Sequence, residues 1–322
     1  MNEIKSLQSQ LLKWYQKHGR HSLPWRDKSS NNRAYRVLIS EIMLQQTQVK
    51  SVLERFYFPF LESFPNLKAL KQAKEEEVLR QWRGLGYYTR ARNLHKLAQI
   101  TQTLPRTKEE LKKLPGIGEY TAGAIACFGF DEVVSFVDSN IKRFLIRFFN
   151  LTNPTPKQLE AKAKEILNTK EAFNHNQALM DLGALICTSK NPKCLLCPLQ
   201  SLCLGKHNLA NLQTKATKSL IKKTLNIAIL EKNSAFALVK SQERLYYNLY
   251  NFPTFAPNKN CQLLGTLKHH YTQYQLTLNL YSPPKNSPLF LQSYEFFTPK
   301  ELKNLPISQM ALKIFKFLNV PL

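Results

Sequence analysis

The feature of this sequence that most constrains its fold is a group of four closely spaced cysteines. They occupy 17 residues in the spacing C-x6-C-x2-C-x5-C and are Cys187, Cys194, Cys197 and Cys203. Four thiolates this close together can enclose one soft metal centre. A structural zinc site more often uses two C-x2-C pairs that lie far apart in sequence, so the single pair here favours a [4Fe-4S] cluster. Zinc and four unrelated buried cysteines are the alternatives.

The charge of the chain indicates a polyanionic partner. Among its 322 residues, 46 Lys and Arg outnumber 22 Asp and Glu, which gives a net charge of +24. Such an excess concerns partners and solubility rather than the fold, and nucleic acid is the usual polyanion. An ordinary protein with many solvated lysines is the plainer interpretation. The sequence contains no run of about 18 apolar residues, so we expect no membrane-spanning helix.

The length favours two domains, and the pattern of apolar residues changes near residue 205. Before this point, apolar residues recur at spacings of three and four, which predicts helices. The segments with this pattern are Tyr35–Phe58, Glu75–Trp82, Thr121–Phe128, Ile141–Phe149 and Gln158–Leu167. In this part of the chain only Glu132–Val137 alternates like a strand. Residues 206–224 are polar and basic, which is typical of a linker that can lie along phosphates.

Beyond the linker, segments rich in β-branched, aromatic and leucine residues predict strands. These segments are Leu225–Leu230, Ala235–Lys240, Gln262–Leu267 and Gln275–Tyr281. A final helix is predicted over Pro306–Phe317. We therefore expect an all-α domain over 1–205, a basic linker over 206–224 and a mixed α+β domain over 225–322.

A turn between two helical patterns predicts a phosphate-binding hairpin. Residues 114–125 read LPGIGEYTAGAI, and Gly116 and Gly118 allow positive φ and close approach of a ligand to the backbone. The helix that follows begins with unpaired N–H groups that carry partial positive charge and suit a phosphate. An ordinary helix–helix turn would have the same local sequence. The negative charge of Glu119 would be unfavourable beside a bound phosphate.

Two carboxyl groups have contrasting surroundings in the sequence. Glu41 lies on a helical pattern among apolar residues, which favours its neutral form and lets it donate a proton near neutral pH. Asp138 follows an apolar run and precedes a predicted helix, so it is a candidate N-cap that the helix keeps ionised. A neutral acid paired with an anion is the usual arrangement for breaking a glycosidic bond through an oxocarbenium ion. The plainer interpretations are a surface glutamate and a purely structural cap.

Several motifs together resemble one family. The hairpin LPGIG, the segment VDSNIKR (137–143) and the cysteine spacing resemble helix-hairpin-helix base-excision glycosylases with an iron–sulfur cluster. Within that superfamily, SEIMLQQTQV (40–49), LPWR (23–26) and GLGYYTRARNLH (84–95) are similar to adenine DNA glycosylases. The resemblance implies a two-lobed, all-α glycosylase fold with an iron–sulfur cluster loop over 1–205. LYNFPTF (249–255) and LKHHYTQYQL (267–276) weakly resemble the family's α+β Nudix-like domain, without the Nudix catalytic box.

The resemblance implies an activity and a catalytic set. The implied enzyme is a monofunctional hydrolase that removes adenine mispaired with 8-oxoguanine or guanine from double-stranded DNA, leaving an abasic site. Glu41 would protonate the adenine and Asp138 would stabilise the oxocarbenium ion, with Tyr120 and Asn140 assisting in the same pocket. Endonuclease III enzymes have a lysine at the position of Tyr120 to form a Schiff base, which a tyrosine cannot do.

The resemblance also implies how the two bases of the mispair are held after the adenine is extruded. The residues implied around the flipped adenine are Leu23, Trp25, Arg26 and Asp181. Those implied against the opposite 8-oxoguanine are Gln46, Thr47 and Tyr87, and Tyr88 is a further residue that can stack on a base. In the C-terminal domain the family usually has Phe-Ser-His on a loop that contacts 8-oxoguanine. This chain has Tyr271-Thr272-Gln273 there, so Thr272 would supply the hydroxyl, and we expect altered discrimination of the lesion.

Two further functions compete with this one. The first is an endonuclease III-like glycosylase and lyase, or a glycosylase of the same fold for thymine or oxidised pyrimidines. The second is a non-catalytic, metal-dependent DNA-binding protein, in which Glu41 would be dispensable. The N-terminus lacks a secretory signal, and thiolates that bind a metal suit a reducing compartment. We expect a monomer in the cytoplasm, associated with the nucleoid.

Overall fold

The computed structural model describes residues 2–208, 220–243, 246–271, 274–284, 286–291 and 294–321. Contacts divide the chain into two compact units. One comprises Met1–Lys71 with Lys96–Lys215, and the other comprises Gln72–His95 with Ala216–Leu322. The expected helical domain over 1–205 therefore differs from the compact unit, because Gln72–His95 clusters with the C-terminal strands. Helical periodicity predicts that this segment is helical, but it does not identify the surface against which the segment packs.

Up to the cysteine loop the chain is mainly helical, as the apolar spacing predicted. In chain order the helices are α1 (Asn2–His18), α2 (Arg33–Leu44), α3 (Val49–Arg55), α4 (Tyr57–Ser63), α5 (Leu67–Gln72), α6 (Glu75–Gln81), α7 (Thr89–Ile100), α8 (Lys108–Leu111), α9 (Glu119–Phe130), α10 (Ser139–Phe148), α11 (Pro156–Ile166) and α12 (Ala172–Leu185). The predicted helix Tyr35–Phe58 is interrupted after α2, where Gln46 has a left-handed φ of 59°. Residues 132–137, all of which the structure describes, form no strand. None of the described helices is long and apolar enough to cross a bilayer.

Side chains cap the N-termini of α8, α10 and α11. Thr107 accepts a hydrogen bond from the backbone N–H of Glu110 at the start of α8. Asp138 accepts one from the N–H of Ile141 at the start of α10. At α11, Thr155 and Gln158 form a capping box. Each cap satisfies an N–H group that the first turn of a helix leaves without a partner.

Helix α2 packs unusually close to α9. A Cβ atom on Gly129 would lie 2.8 Å from the Cα atom of Ala34, so only glycine permits this approach. Leu38 and Ile39 of α2 are fully buried in the surrounding core. The close packing places Glu41 of α2 beside the first turn of α9.

A second glycine brings α12 against the start of α10. A Cβ atom on Gly183 would lie 2.7 Å from the Cβ atom and 2.9 Å from the carbonyl oxygen of Asn140. The first turn of α10, which contains Asn140, therefore rests directly on the backbone of α12. No space remains there for a methyl group.

In the second unit, the described residues beyond the linker are strand-rich. Their elements are β1 (Ile221–Ala228), β2 (Glu231–Lys232), β3 (Ala235–Lys240), β4 (Tyr250–Asn251), β5 (Gln262–Tyr271), β6 (Tyr274–Ser282), β7 (Glu295–Phe297), α13 (Pro299–Leu302) and α14 (Gln309–Phe317). One sheet has the strand order β1-β6-β5, in which β1 runs parallel and β5 antiparallel to β6. In the other sheet, β3 pairs antiparallel with β2, β4 and β7.

Alternating leucines and a cluster of phenylalanines form the core of this unit. Leu276, Leu278 and Leu280 are buried on one face of β6, as the period of two in a strand requires. Phe315 of α14 packs against Phe252, with ring centroids 4.7 Å apart. The predicted strands and final helix are thus present; Ala235–Lys240 has its predicted ends, and the other elements have at least one shifted end.

Candidate active site

The two predicted catalytic carboxyl groups face one cleft in the first unit. The cleft has a volume of about 1060 Å³. It is bordered by all four predicted catalytic residues, which are Glu41, Tyr120, Asp138 and Asn140. It is also bordered by five of the predicted base-contacting residues, which are Leu23, Trp25, Arg26, Gln46 and Thr47. The fold thus brings together residues from distant parts of the sequence.

Glu41 is buried at the wall of the cleft. The residue is only 4% exposed, and its Oε2 accepts a hydrogen bond from the hydroxyl of Tyr120. The pKa of Glu41 is raised to about 7, chiefly by burial and also by the nearby charge of Asp138, while the hydrogen bond from Tyr120 and the charge of Arg26 act in the opposite direction. A substantial fraction of Glu41 is therefore protonated at neutral pH, as a proton donor requires.

Asp138 is held by donors at the start of α10. Its Oδ1 accepts a hydrogen bond of 2.6 Å from the backbone N–H of Ile141, and its Oδ2 accepts one of 2.8 Å from Nδ2 of Asn140. Burial nevertheless raises the pKa of Asp138 above its ordinary value, and these hydrogen bonds and the charge of Arg143 only partly compensate. The sequence shows that Asp138 precedes a helix, which favours its ionised form, but it does not show that the carboxyl group is buried.

The two carboxyl groups differ in the donors that surround them. Glu41 accepts a hydrogen bond from the hydroxyl of Tyr120, whereas Asp138 accepts from two N–H groups and lies near the guanidinium of Arg143. N–H donors and a cation favour a carboxylate, and two neighbouring carboxyl groups do not both ionise readily. The anion therefore belongs on Asp138 and the proton on Glu41. The pKa of Tyr120 is raised, mainly by burial, so its phenol remains protonated.

Asp181 does not border the cleft, contrary to the contact with adenine that was predicted for it. It is fully buried and receives both Nη1 and Nη2 of Arg26, at 2.7 and 2.8 Å. Arg20 adds its backbone N–H and its Nε, both at 2.8 Å. Because these four donors occupy both carboxylate oxygens, Asp181 orients Arg26.

Two further residues that were not predicted from the sequence, Gln177 and Arg143, also border the cleft. Gln177 lies on α12 and is 3% exposed. In the sequence, the signal for Gln177 was a polar amide beside the apolar helical stretch Ala178–Met180. Arg143 donates from Nη2 to Oδ1 of Asn140 at 2.9 Å, so it orients the amide that holds Asp138.

The predicted phosphate-binding hairpin is formed by α8, the turn at 112–118 and α9. Gly116 has a φ of 77°, which favours glycine, and Gly118 is the N-cap of α9. A Cβ atom on Gly118 would meet nothing within 4 Å, so the helix N-terminus is open to a ligand. Glu119 forms ion pairs with Lys108 and Lys112, which lower its pKa. These lysines offset the negative charge that was awkward beside a phosphate.

Residues predicted to face the opposite base occupy distinctive positions. Gln46 has a left-handed φ of 59° in the first unit, and Tyr87 has one of 49° in the second. Non-glycine residues adopt this conformation rarely, and such residues often lie at functional sites. Tyr88, however, is 3% exposed and donates its hydroxyl to the carbonyl of Ile307 at 2.9 Å, so it is unsuited to the predicted stacking on a base. Thr272 lies outside the described residues.

The cysteine loop surrounds a cavity suited to a cluster. Its lining contains Cys187, Cys194, Cys197 and Cys203 together with Phe144, Phe148, Ile186 and Leu199. Among the described residues, no three His, Cys, Asp or Glu side chains form a group that could hold a metal ion, so the thiols enclose a space rather than converge on one point. Burial raises the pKa of Cys197 to about 11. Cationic iron would favour the thiolate instead.

Two arginines connect this loop to the rest of the unit. Arg147 donates from Nη1 to the carbonyl of Thr188 at 2.7 Å and lies 3.5 Å from the sulfur of Cys187. Arg143 donates from Nε to the carbonyl of Cys187 at 2.7 Å. Since Arg143 also contacts Asn140, one side chain joins the cysteine loop to the group that holds Asp138.

Comparison with known proteins agrees with this geometry. A family model described as HhH-GPD superfamily base excision DNA repair protein matches residues 39–169, and the iron-sulfur binding domain of endonuclease III matches residues 187–203. A thermostable thymine-DNA glycosylase of known structure aligns with a TM-score of 0.58 and 27% identity, over 64% of this chain and 97% of that chain. Fold, paired carboxyl groups and cysteine loop define a helix-hairpin-helix DNA glycosylase of base-excision repair.

Curated relatives are more similar still. The adenine DNA glycosylase of Buchnera aphidicola subsp. Acyrthosiphon pisum is 38% identical, over 97% of this chain and 97% of the relative. The human adenine DNA glycosylase is also 38% identical, over 68% of this chain and 42% of the relative. The chain belongs to the adenine DNA glycosylase family. It is a hydrolase of base-excision repair, and its four cysteines hold a [4Fe-4S] cluster.

Proposed function

We propose that the protein removes adenine that is mispaired with 8-oxoguanine, or with guanine, in double-stranded DNA and leaves an abasic site. The observation that carries this proposal is that Glu41 and Asp138 border the same cleft, where Glu41 accepts a hydrogen bond from the hydroxyl of Tyr120 and Asp138 accepts from two N–H donors. A buried acid and a carboxylate held by N–H donors are what the departure of a purine through an oxocarbenium ion requires.

Each step of the hydrolysis can be assigned to a side chain. Glu41 donates its proton to N7 of adenine, so the base leaves with the electron pair of the C1′–N9 bond. The sugar becomes an oxocarbenium ion, which the carboxylate of Asp138 stabilises. Water then adds to C1′, and its proton passes to the carboxylate of Glu41, which restores the acid. Tyr120 holds Glu41 through its hydroxyl, and Asn140 holds Asp138.

The cleft has suitable walls for an extruded base. Trp25 and Leu23 supply apolar surface, and Arg26 is held in place by the buried Asp181. Extrusion of adenine from the duplex costs a few kcal/mol, and contacts with the base left unpaired opposite it would offset part of this cost. Gln46 and Thr47 border the same cleft and are suited to hydrogen bonds with that partner.

Tyr120 distinguishes this activity from that of a glycosylase with lyase activity. A lyase needs an amine to attack C1′, and the residue at this position has a phenol that hydrogen-bonds to Glu41. The greater identity to adenine DNA glycosylases than to the thymine-DNA glycosylase, 38% against 27%, favours adenine over thymine as the base removed.

The strand-rich part of the second unit supports lesion recognition by a Nudix-like domain. We propose that its hairpin β5–β6, in which Tyr271 pairs with Tyr274, presents Thr272 to 8-oxoguanine. Tyr87 on the glycine-containing turn of the same unit contributes stacking. The cluster loop contributes lysines, including Lys190 and Lys193, for DNA phosphates. The working form is a monomer in the cytoplasm, associated with the nucleoid.

Single-turnover excision on three matched duplexes tests the proposal. Adenine opposite 8-oxoguanine should be released fastest, adenine opposite guanine more slowly, and adenine opposite thymine least. Glu41→Gln should abolish release while duplex binding persists, since the amide cannot supply the proton. Unchanged turnover in that variant would refute the assignment of Glu41.

A trapping experiment examines the competing chemistry. Borohydride reduces a Schiff base to a stable covalent adduct, so a monofunctional hydrolase should give little trapped complex. Stoichiometric trapping would show that a lysine attacks the sugar and would favour the endonuclease III-like alternative.

A further inference from the structure

The turn that carries Tyr87 has a backbone conformation that its sequence alone does not favour. Gly84, Gly86 and Tyr87 have φ values of 96°, 78° and 49°. Glycine adopts such values readily, but a tyrosine does so at an energetic cost. The position of Tyr87 therefore depends on contacts that hold the turn from outside.

Part of this support comes from neighbouring side chains. Nε1 of Trp82 donates to the carbonyl of Gly86 at 3.1 Å, and Nη2 of Arg90 donates to the same carbonyl at 3.0 Å. The guanidinium of Arg90 lies 5.4 Å from the ring centroid of Tyr87 and 5.5 Å from that of Trp82. These contacts fix the middle of the turn.

The two ends of the turn are held by the distant C-terminal part of the same unit. The hydroxyl of Tyr88 donates to the carbonyl of Ile307 at 2.9 Å. Nη1 of Arg83 donates to the carbonyl of Leu302 at 3.0 Å. Both acceptors lie in residues 302–308, which run from the last residue of α13 to the residue before α14 and which we call the α13–α14 corner.

The α13–α14 corner is itself firmly placed. Ile307 is fully buried, and the backbone N–H of Tyr250 donates to the carbonyl of Pro306 at 2.9 Å. The N–H of Ser308 donates back to the carbonyl of Tyr250 at 3.1 Å. Strand β4, which contains Tyr250, thus anchors the corner to the sheet. Displacement of the corner would move both ends of the Tyr87 turn.

We infer that the α13–α14 corner positions Tyr87, through Tyr88 and Arg83, for contact with the base opposite adenine. This inference rests on the proposed function of Tyr87. Its new content is that selectivity for 8-oxoguanine depends on two positioning residues that present Tyr87. The C-terminal region then acts in lesion recognition by a second route besides the loop at Thr272.

Removal of one hydroxyl tests the inference. Tyr88→Phe keeps the buried ring and deletes the hydrogen bond to Ile307. We expect the ratio of excision rates, adenine opposite 8-oxoguanine over adenine opposite guanine, to fall about fivefold, as for the loss of one hydrogen bond. For the 8-oxoguanine duplex, the substitution should raise the concentration that gives half the maximal excision rate more than it lowers the maximal rate itself. Arg83→Met should act in the same direction, with partial rescue by Arg83→Lys.

Tyr35→Phe is the matched control. Tyr35 is 5% exposed, and its hydroxyl donates to the carbonyl of Phe64 at 2.7 Å within the first unit. This variant loses the same kind of hydrogen bond. It should lose stability but keep the ratio of rates, so a fall in both variants would indicate a general structural effect and overturn the inference.

A double-mutant cycle separates the inference from the proposed function. In a Tyr87→Ser background, Tyr88→Phe should cause no further loss of selectivity, because its effect passes through Tyr87. If Tyr87→Ser itself leaves selectivity unchanged, the proposed function of Tyr87 is wrong. If Tyr87→Ser lowers selectivity but Tyr88→Phe and Arg83→Met do not, the positioning inference alone is wrong.

Discussion

At the scale of single residues, the protonation of Glu41 sets the pH dependence of the reaction. Because burial raises its pKa to about 7, the proton-bearing form declines as the pH rises through that value, and excision should decline with it. The hydroxyl of Tyr120 lowers this pKa by stabilising the carboxylate. Tyr120→Phe should therefore move the alkaline limb of the single-turnover pH profile to higher pH. A limb that stays in place would contradict the assignment of Glu41 as the acid.

The same carboxyl group should reduce stability above neutral pH. Between its ordinary pKa of 4.5 and about 7, folded Glu41 retains a proton that the unfolded chain has released, so stability falls as the pH rises through this window. The full cost, on the order of 3 kcal/mol, is reached above pH 7. Glu41→Gln should thus raise the melting temperature at pH 8 and leave it nearly unchanged at pH 5.

Glu119→Gln provides a control of opposite sign. The pKa of Glu119 is lowered by hydrogen bonds from Lys108 and Lys112, so its contribution to stability is present above its ordinary pKa and is lost as the pH falls. This variant should be less stable than the parent at pH 8. If both variants shift in the same direction at pH 8, the two environments described for these carboxyl groups are incorrect.

Residue-scale prediction from the sequence succeeded where the signal was local. The apolar neighbours of Glu41 and the position of Asp138 before a helix are visible along the chain, and both groups border the cleft. The partners of Asp181 could not be predicted, because Arg20 and Arg26 lie 161 and 155 residues away in sequence. The burial of Tyr88 was likewise not visible, since its acceptor Ile307 lies 219 residues away. Such pairings depend on tertiary packing, which the linear pattern does not contain.

At the scale of elements, the open N-terminus of α9 makes a direct test of the hairpin. Gly118 has φ −90° and ψ 178°, and a Cβ atom there meets nothing, so Gly118→Ala should fold normally. The added methyl group would occupy the space that a phosphate needs. We expect duplex affinity to fall about tenfold, comparable to the loss of one hydrogen bond to a charged group, as measured by anisotropy titration.

Gly123→Ala, on the same helix, is the matched variant. A Cβ atom at Gly123 would lie 2.6 Å from the Cβ atom of Phe136, so this substitution should destabilise the protein by about 1–3 kcal/mol. Its folded fraction should bind duplex normally. Equal affinities for the Gly118→Ala variant and the parent would argue against phosphate binding at this turn.

The cysteine loop should lose its cofactor when one ligand is removed. The parent protein should be brown and contain about four iron atoms per chain. Cys197→Ala should lose iron and visible absorbance, and excision should fall because Arg143 joins the loop to Asn140. Iron analysis and absorption spectra measure the first effect independently of activity. A colourless parent that contains zinc would contradict the cluster.

The elements themselves were predicted better than their partners. The strand over Ala235–Lys240 was predicted with its observed ends, because alternation and composition are local properties. The break between α2 and α3 was missed, because Gln46 adopts a left-handed φ without a glycine or proline to signal it. The parallel pairing of β1 with β6 was also beyond prediction, since 53 residues separate the two members of each pair, from Ile221 with Tyr274 to Ala228 with Tyr281.

At the scale of the whole molecule, the two compact units change the expectation for a truncated chain. A fragment of residues 1–208 retains the residues that border the cleft, so some excision should survive. It lacks the carbonyl groups of Leu302 and Ile307 that hold the Tyr87 turn, so preference for 8-oxoguanine should be lost. The fragment should also melt at a lower temperature, because Trp82 and Tyr88 lose buried surroundings. A fragment with undiminished preference would contradict this prediction.

The contact between Gly183 and Asn140 has a consequence for inherited variation. A methyl group at position 183 would push α12 away from Asn140, the residue that holds the carboxylate of Asp138. An inherited Gly183→Ala allele would therefore lower the stability of the folded protein and displace Asn140 at the same time, so the cell would hold less of the protein and the remaining molecules would be slow.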